Sequence, residues 1–220
     1  DATVRTAAAE ALGKTGHPAA VEALVSSLGD RSPKVRDEGT SSLLQIGEAS
    51  IEPLLAVLAS GPRDQSCIAA EALGQIGDQR ALVPLVNALR HSIEWVRRSA
   101  ALALGSLGDA RAIPHLVQLT EDESERVRSA SAVALGMIRD ESSTPALVAL
   151  LDDESVRVRI NAAHALGRAG AVSAVPHLVG LLAAHAPNIR MAAAEALVVM
   201  STDIAQNTPS PSDSDRKSVV

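Results

Sequence analysis

Apolar and polar positions alternate along the chain with a helical period. In the run that begins at Glu94, the apolar residues Val96, Ala100 and Ala103 follow one another at intervals of four and three residues, and Leu104 lies four residues after Ala100. This spacing places the apolar side chains on one face of a helix. No segment shows the two-residue period of a half-buried strand. The pattern therefore predicts an all-α fold.

The helical segments recur with a period of about 31 residues. The first marker is a leucine, in most copies within the triplet Ala-Leu-Gly, and successive leucines are 30 or 31 residues apart. These leucines are Leu12, Leu43, Leu73, Leu104, Leu135, Leu166 and Leu197. A unit of about 30 residues cannot bury both of its helices' apolar faces alone, so neighbouring units must stack. The repeat therefore predicts a right-handed α-solenoid of antiparallel helix pairs.

Two further markers share this period. An apolar residue followed by arginine lies eight residues before most of the leucines, and only the third copy, Gln65-Ser66, lacks it. The arginines are Arg5, Arg36, Arg97, Arg128, Arg159 and Arg190. The prolines are Pro53, Pro84, Pro114, Pro145 and Pro176. The weak third copy predicts that the junction between the second and third repeats is the least stable.

Each unit is predicted to turn at a Gly-Asp pair such as Gly108-Asp109. Glycine can adopt the left-handed conformation that ends a helix, and aspartate can accept from the first amides of the next. The position of Pro84 leaves two alternatives. A second helix that begins near Arg80 would be bent by Pro84, whereas a later start would place the proline in the first turn.

The predicted domain boundaries are 1–200 for the solenoid, with six helix pairs and a final first helix, and 201–220 for a disordered tail. The tail is rich in Ser, Pro and Asp and lacks apolar periodicity. Asp1 falls inside a first helix, and Leu197 to Met200 has no second helix to cover it. We therefore expect a longer array or end-to-end association.

Composition narrows the classes of function. The net charge is −6 and the pI about 5.5, which disfavours nucleic-acid binding by the whole surface. Cys67 is the only cysteine, which suits a cytoplasmic location. No run reaches the roughly 20 apolar residues of a membrane span, so no membrane contact is expected. No set of residues predicts a metal site or a cofactor site.

The run from Val96 to Ala112 carries a family resemblance. It reads Val-Arg, an alanine-rich stretch, and then Ala-Leu-Gly-x-x-Gly-Asp-x-Arg-Ala. This pattern resembles bacterial HEAT repeats, most closely the phycobilisome-lyase HEAT-like family, over about residues 1–200. That family includes bilin lyase subunits, phycobilisome-associated proteins and scaffolds without assigned chemistry. HEAT-repeat deoxyhypusine hydroxylases bind iron through His-Glu pairs. The matching positions here are Thr6-Ala7, Cys67-Ile68, Arg98-Ser99 and Ile160-Asn161, so the iron site of that family is not expected in this chain.

The recurrent arginines have two interpretations. They are predicted to form a ladder of ion pairs with loop carboxylates such as Asp30, Asp122 and Asp153, rather than a basic stripe that binds an acidic partner.

His115 and His177 are two repeats apart, roughly 20 Å, which excludes a shared metal ion. Cys67 is predicted to be an inert core residue. Trp95, the only aromatic residue, is predicted to be a half-buried edge residue, with a binding hot spot as the alternative.

The leading functional hypothesis is a non-enzymatic scaffold whose second helices line a concave groove and hold a protein partner. The alternative, implied by the resemblance alone, is a bilin lyase subunit or chaperone with a phycobiliprotein as partner. The predicted partner surface consists of outward-facing residues one and four positions after the prolines. Its members are Leu54, Val57, Leu85, His115, Gln118 and His177.

Overall fold

Long and short helices alternate along the chain. The computed structural model describes residues 1–207, with side chains as far as Thr202, and contains no strand in this range. The long helices are α1 (Ala2–Thr15), α3 (Pro33–Ile46), α5 (Arg63–Ile76), α7 (Glu94–Leu107), α9 (Glu125–Ile138), α11 (Val156–Ala169) and α13 (Pro187–Asn207). The short helices are α2 (Val21–Ser27), α4 (Ile51–Ser60), α6 (Leu82–Ala88), α8 (Ile113–Gln118), α10 (Thr144–Ala149) and α12 (Val175–Leu181). Each of the first six long helices is followed by a short helix, and the predicted all-α solenoid is confirmed.

The turn between a long and a short helix has the predicted chemistry. Gly108 adopts φ 70° and donates its N–H to the carbonyl of Leu104, which ends α7. Asp109 then accepts the N–H of Arg111 at 2.8 Å and opens a short 3₁₀ turn. Arg139 holds the left-handed position after α9, with φ 60°. The residue that follows each of the first six long helices therefore has a positive φ, and a Gly-Asp pair is one way to supply it.

The prolines lie in the first turn of the short helices. A 3₁₀ turn precedes each short helix, so that α6 begins at Leu82 and Pro84 is its third residue. Pro114 is the second residue of α8. The first amides of a helix have no acceptor within it, so a proline there costs no hydrogen bond. The later start of the second helix is the correct alternative.

The core is a continuous layer of leucine and alanine between the long and short helices. Each short helix contributes a fully buried leucine, and each long helix brings small residues against its neighbour. A Cβ added at Gly105 would lie 2.7 Å from Cα and 3.0 Å from Cβ of Ala134 on the next long helix. Gly74, Gly136 and Gly167 make the same approach to an alanine. These glycines allow the backbones of neighbouring long helices to meet.

The junction between α3 and α5 departs from this pattern. Leu44 occupies the position that is glycine in most other long helices. In those helices the next long helix packs closely against that glycine. The α3–α5 contact is accordingly much smaller than the contact between other neighbouring long helices. The gap follows from the added side chain, since a leucine cannot fit where backbones approach this closely.

The long helices line the inner side of the stack. Apart from α3 and α5, neighbouring long helices contact each other along their length, whereas neighbouring short helices meet at few positions. A stack bends toward the side on which its layers lie closer together. The prediction that the second, short helices line the concave groove is therefore wrong.

The last helix runs further than the sequence pattern predicts. We expected the tail to begin at residue 201, but α13 continues to Asn207. No proline or glycine occurs in residues 201–207, so nothing in this stretch breaks the helix. The rest of the predicted tail, residues 208–220, lies outside the described residues.

One stretch, Pro33–Ser60, is long and apolar enough to pass as a membrane span by length and composition. In the structure it is two helices, α3 of 14 residues and α4 of 10, separated by a turn at Gly47 with φ 68°. At 1.5 Å per residue these helices are about 21 and 15 Å long, shorter than the ~30 Å hydrocarbon core of a bilayer. In this fold the stretch therefore forms one helix pair of the stack.

Candidate binding surface around Trp95

The predicted partner surface on the short helices is wrong at its two central residues. Leu54 and Leu85 are fully buried, with 0% of their surface exposed. They belong to the set of core leucines, one in each short helix, that also includes Leu116. In the second and third copies the proline directly precedes this leucine, whereas in the next copy it lies two residues before it. Counting from the proline therefore assigned Leu54 and Leu85 to the outer face.

The other members of that surface do not form an apolar patch. Val57 is half-buried and packs against the core. His115 is half-buried, and Gln118 and His177 are exposed on separate short helices. With Leu54 and Leu85 inside the core, nothing joins these residues into one surface.

Within residues 1–207, the predicted arginine ladder is present at three of its six positions, Arg5, Arg97 and Arg128. Arg97 donates from Nε and Nη2 to both carboxylate oxygens of Asp122, at 2.8 and 2.9 Å. Arg128 does the same to Asp153, at 2.7 and 3.1 Å. Arg5 completes the set with Asp30. Each pair joins a long helix to the loop that precedes the next long helix, so the ladder ties successive repeats together.

The ladder of ion pairs is interrupted where the loop before the next long helix has no aspartate at the partner position. Gly61 and Ala184 occupy the positions, 25 residues after Arg36 and Arg159, that hold aspartate in the intact bridges. Arg36 and Arg159 instead donate to backbone carbonyls six residues earlier, as Arg190 does. The partner position of Arg190, residue 215, lies outside the described residues. The missing bridge at Arg36 falls on the loose junction between α3 and α5.

Trp95 stands in the first turn of α7 on the inner side. Trp95 is 41% exposed, and two guanidinium groups lie over its ring, that of Arg98 at 5.9 Å and that of Arg126 at 5.3 Å from the ring centroid. Trp95 and Arg126 occupy equivalent positions one repeat apart, so the packing of α7 against α9 brings them together. Cation–π stacking holds the ring and the two arginines in one layer.

Two hollows meet at Trp95 and share the side chains of Trp95 and Arg98. The first has a volume of about 340 Å³ and lies across α7, α9 and α11. Its lining residues are Trp95, Arg98, Leu102, Arg126, Ser129, Ala130, Val133, Arg157 and Asn161. The second, of about 460 Å³, lies across α3, α5 and α7 and includes Arg36, Cys67 and Glu71. Together they form a furrow along the inner side.

The charges of the furrow are distributed unevenly. The hollow on α7, α9 and α11 is lined by three arginines and no carboxylate. Arg126 and Arg157 each pair with a glutamate on the preceding long helix, Glu94 and Glu125 respectively. Arg98 has no carboxylate within ion-pairing distance in the part of the chain described. The side chains that line this hollow are therefore basic, and Arg98 is the one whose charge no described carboxylate balances.

A third hollow of about 640 Å³ opens at the loose junction. It is lined by the loop at Gly29 to Arg31 and by the first turn of α5, and it shares Arg36, Arg63 and Asp64 with the neighbouring hollow. The hollow at the loose junction thus connects with the furrow at Trp95.

Cys67 lines the furrow but is a poor nucleophile. Burial raises the pKa of its thiol above the ordinary value, and a hydrogen bond to Ser99 opposes this only in part. A thiol with a raised pKa carries little thiolate at neutral pH.

The described residues contain no group of three or more His, Cys, Asp or Glu side chains placed to hold a metal ion. Nε2 of His164 lies 3.0 Å from Oε2 of Glu195, on the neighbouring long helix α13. A single histidine and a single carboxylate on the surface make a weak contact rather than a metal centre.

A family model for HEAT repeats matches the chain over residues 1–66, 51–135 and 115–198. The chain belongs to the HEAT-repeat family. No curated protein matches it in sequence. The HEAT repeats thus account for the solenoid and for the recurrent Val-Arg and Ala-Leu-Gly motifs.

Several solved structures share this HEAT-repeat architecture. YibA from Escherichia coli is 22% identical, with a TM-score of 0.65 over 84% of this chain and 74% of that chain. The CpcE–CpcF complex of phycocyanin lyase from Nostoc sp. PCC7120 is 22% identical, with a TM-score of 0.53, over 98% and 87%. A designed armadillo repeat protein in complex with the peptide (KR)4 is 23% identical, with a TM-score of 0.56, over 80% and 98%. At these identities the likeness shows the fold alone.

The sequence of these HEAT repeats predicts the furrow only in part. Trp95, Arg126 and Arg157 recur at one position of the repeat, and that recurrence indicates that they line up across neighbouring long helices. The sequence pattern did not reveal that this line faces the inner side. The contacts between the long helices decide that point.

Proposed function

We propose that this HEAT-repeat protein is a non-enzymatic scaffold that holds a protein partner on the inner side, along the furrow at Trp95. The supporting observation is the exposed Trp95 with Arg98 and Arg126 over its ring, because tryptophan and arginine are enriched among residues that dominate binding energy. The structural relative that holds the peptide (KR)4 supports the use of such an array for peptide binding. The proposal places the protein in a bacterial cytoplasm, on its single cysteine and its family resemblance.

Site-specific photo-crosslinking tests which side binds. A photoreactive phenylalanine analogue at Val133, which lines the hollow on α9, is compared with the same analogue at Val83, which is 65% exposed on α6. In the cells that produce the protein, we expect a discrete crosslinked protein adduct at position 133 and none at 83. An adduct at 83 alone would place the partner on the short helices and contradict the proposal.

The second candidate is a bilin lyase subunit with a phycobiliprotein partner. It is supported by the likeness to the CpcE–CpcF complex of phycocyanin lyase, which extends over nearly the whole chain. Incubation with phycocyanobilin and an apo-phycobiliprotein tests it. Stereospecific covalent attachment faster than the spontaneous reaction, with or without a second subunit, would favour this candidate over the scaffold.

A further inference from the structure

One of the two hollows of the furrow at Trp95 is lined by charged side chains of the sign opposite to the net charge of the whole protein. The chain carries a net charge of −6, yet the hollow across α7, α9 and α11 is lined by three arginines and no acid. Their guanidinium groups lie on three successive long helices, so the positive charge forms a line rather than a point. A concave surface of one charge sign attracts ligands of the opposite sign.

Arg98 is the arginine best placed to accept a ligand. Its guanidinium lies over the ring of Trp95, and no described carboxylate pairs with it. A guanidinium donates hydrogen bonds in its own plane, so stacking on a ring occupies its face and leaves its N–H groups available. The ligand group that matches two parallel N–H donors is a carboxylate.

The furrow has the length of a short extended peptide. Between α5 and α11, not counting the edge formed by Arg36 on α3, the two hollows cover three helix spacings of roughly 8–10 Å, or about 24–30 Å. A segment in the extended polyproline II conformation advances about 3.1 Å per residue with three residues per turn, so about eight to ten residues fill this length. Its side chains three residues apart lie on one face roughly 9 Å apart, which matches arginines on neighbouring long helices, one spacing apart.

We propose that the furrow binds an extended acidic segment of a protein partner, with carboxylates on Arg98, Arg126 and Arg157 and an apolar side chain against Trp95. This inference rests on the proposed scaffold function and adds the chemistry of the bound segment. Glu94 and Glu125, which pair with Arg126 and Arg157 in the free protein, are displaced or shared when the segment binds.

The test uses a defined probe and the protein's own tryptophan. Trp95 is the only aromatic residue, so the intrinsic emission of the full chain comes from the furrow alone. The probe is the octapeptide Glu-Leu-Ser-Glu-Leu-Ser-Glu-Leu, and control peptides replace Glu by Gln or by Lys. We expect saturable quenching or a shift of Trp95 emission with the acidic probe only, weakening as salt is raised.

A matched pair of charge variants locates the binding. Arg98→Gln should weaken the acidic probe about tenfold or more, since a charge-assisted hydrogen bond is lost. Arg90→Gln, which makes the same charge change outside the furrow, should leave the affinity unchanged. Equal loss in both variants, or equal binding of the acidic and Gln peptides, would overturn the proposal.

The outcomes also separate this inference from the scaffold proposal. Absence of any response to the acidic probe, together with a crosslinked protein at position 133, would overturn the acidic chemistry and leave the scaffold. Absence of both would overturn both. A single-stranded oligonucleotide such as dT8 that binds more tightly than the acidic probe would show a phosphate-binding surface and overturn the peptide assignment.

Discussion

Removal of Asp153 should destabilise the whole array. Arg128 is only 8% exposed, and its guanidinium is held by Asp153 at 2.7 and 3.1 Å and by two backbone carbonyls of the preceding loop. Asp153 also accepts the N–H of Ser155 at 2.8 Å. Asp153→Ala thus removes the charge that balances a nearly buried cation and leaves an amide without its acceptor.

Loss of one partner from a buried ion pair typically costs about 3–5 kcal/mol. Glu154 stays within 3.0 Å of Arg128 and balances part of its charge, so we expect the low end, about 3 kcal/mol. For a chain of this size that loss lowers Tm by roughly 6–12 °C. Thermal and urea unfolding followed by far-UV circular dichroism measure both quantities.

The matched control is Asp30→Ala, because the side chain of its partner Arg5 is 37% exposed and solvent screens the pair. We expect a clearly smaller loss than for Asp153→Ala. The double variant Arg128→Met with Asp153→Ala should recover part of the stability by removing the unpaired cation. Equal losses at Asp30 and Asp153, or no recovery in the double variant, would refute the reasoning.

The same bridges predict a loss of stability in acid. Burial acts to raise the pKa of Asp153, but hydrogen bonds from Arg128 and from the Ser155 amide outweigh it and leave the pKa below its ordinary value. Chiefly through its hydrogen bond from Arg5, the pKa of Asp30 falls from 3.8 to about 2. A carboxylate with a depressed pKa stabilises the fold above its unfolded pKa and ceases to do so as the pH falls through its folded pKa. The difference between wild type and Asp153→Ala should therefore shrink as the pH falls below about 4, the pKa of aspartate in the unfolded chain.

Three further predictions follow from the packing. Gly105→Ala should destabilise the fold, because overpacking against Ala134 typically costs about 1–3 kcal/mol and exceeds the ~1 kcal/mol gained in helix propensity. A Tm higher than that of wild type would contradict this prediction. Leu85→Glu should cost at least about 3 kcal/mol in urea unfolding, and a variant of native stability would mean that Leu85 is not in the core. Among internal junctions, amide exchange should be fastest where α3 meets α5, and uniform protection would refute that.

The sequence predicts the repeating unit well because the unit is built from local chemistry. The triplet at Leu104, the turn at Gly108-Asp109 and the later start of α8 each depend on residues within one repeat. The arginine bridges could be anticipated as well, since Asp122 and Asp153 recur at a fixed distance after Arg97 and Arg128.

The candidate site was harder to predict because it depends on registers between repeats. Leu54 and Leu85 were assigned to the outer face by counting from a proline, although the 31-residue step from Leu85 to Leu116 places both leucines in the set of core leucines. The environment of Trp95 is set by Arg126, 31 residues away, through the packing of α7 on α9. Which side of the stack is concave depends on helix spacing, and no single repeat determines that spacing.

The leucine at position 44 also gives the array a mechanical weak point. In a one-dimensional stack the compliances of successive joints add in series, so the softest joint takes up most of any bend or twist. Here that joint lies between α3 and α5, where the glycine contact, the arginine bridge and the Val-Arg pair are all missing. Because its hollow runs into the furrow at Trp95, opening the joint and widening the furrow are one motion. A ligand seated across it would thereby fix the curvature of the entire solenoid.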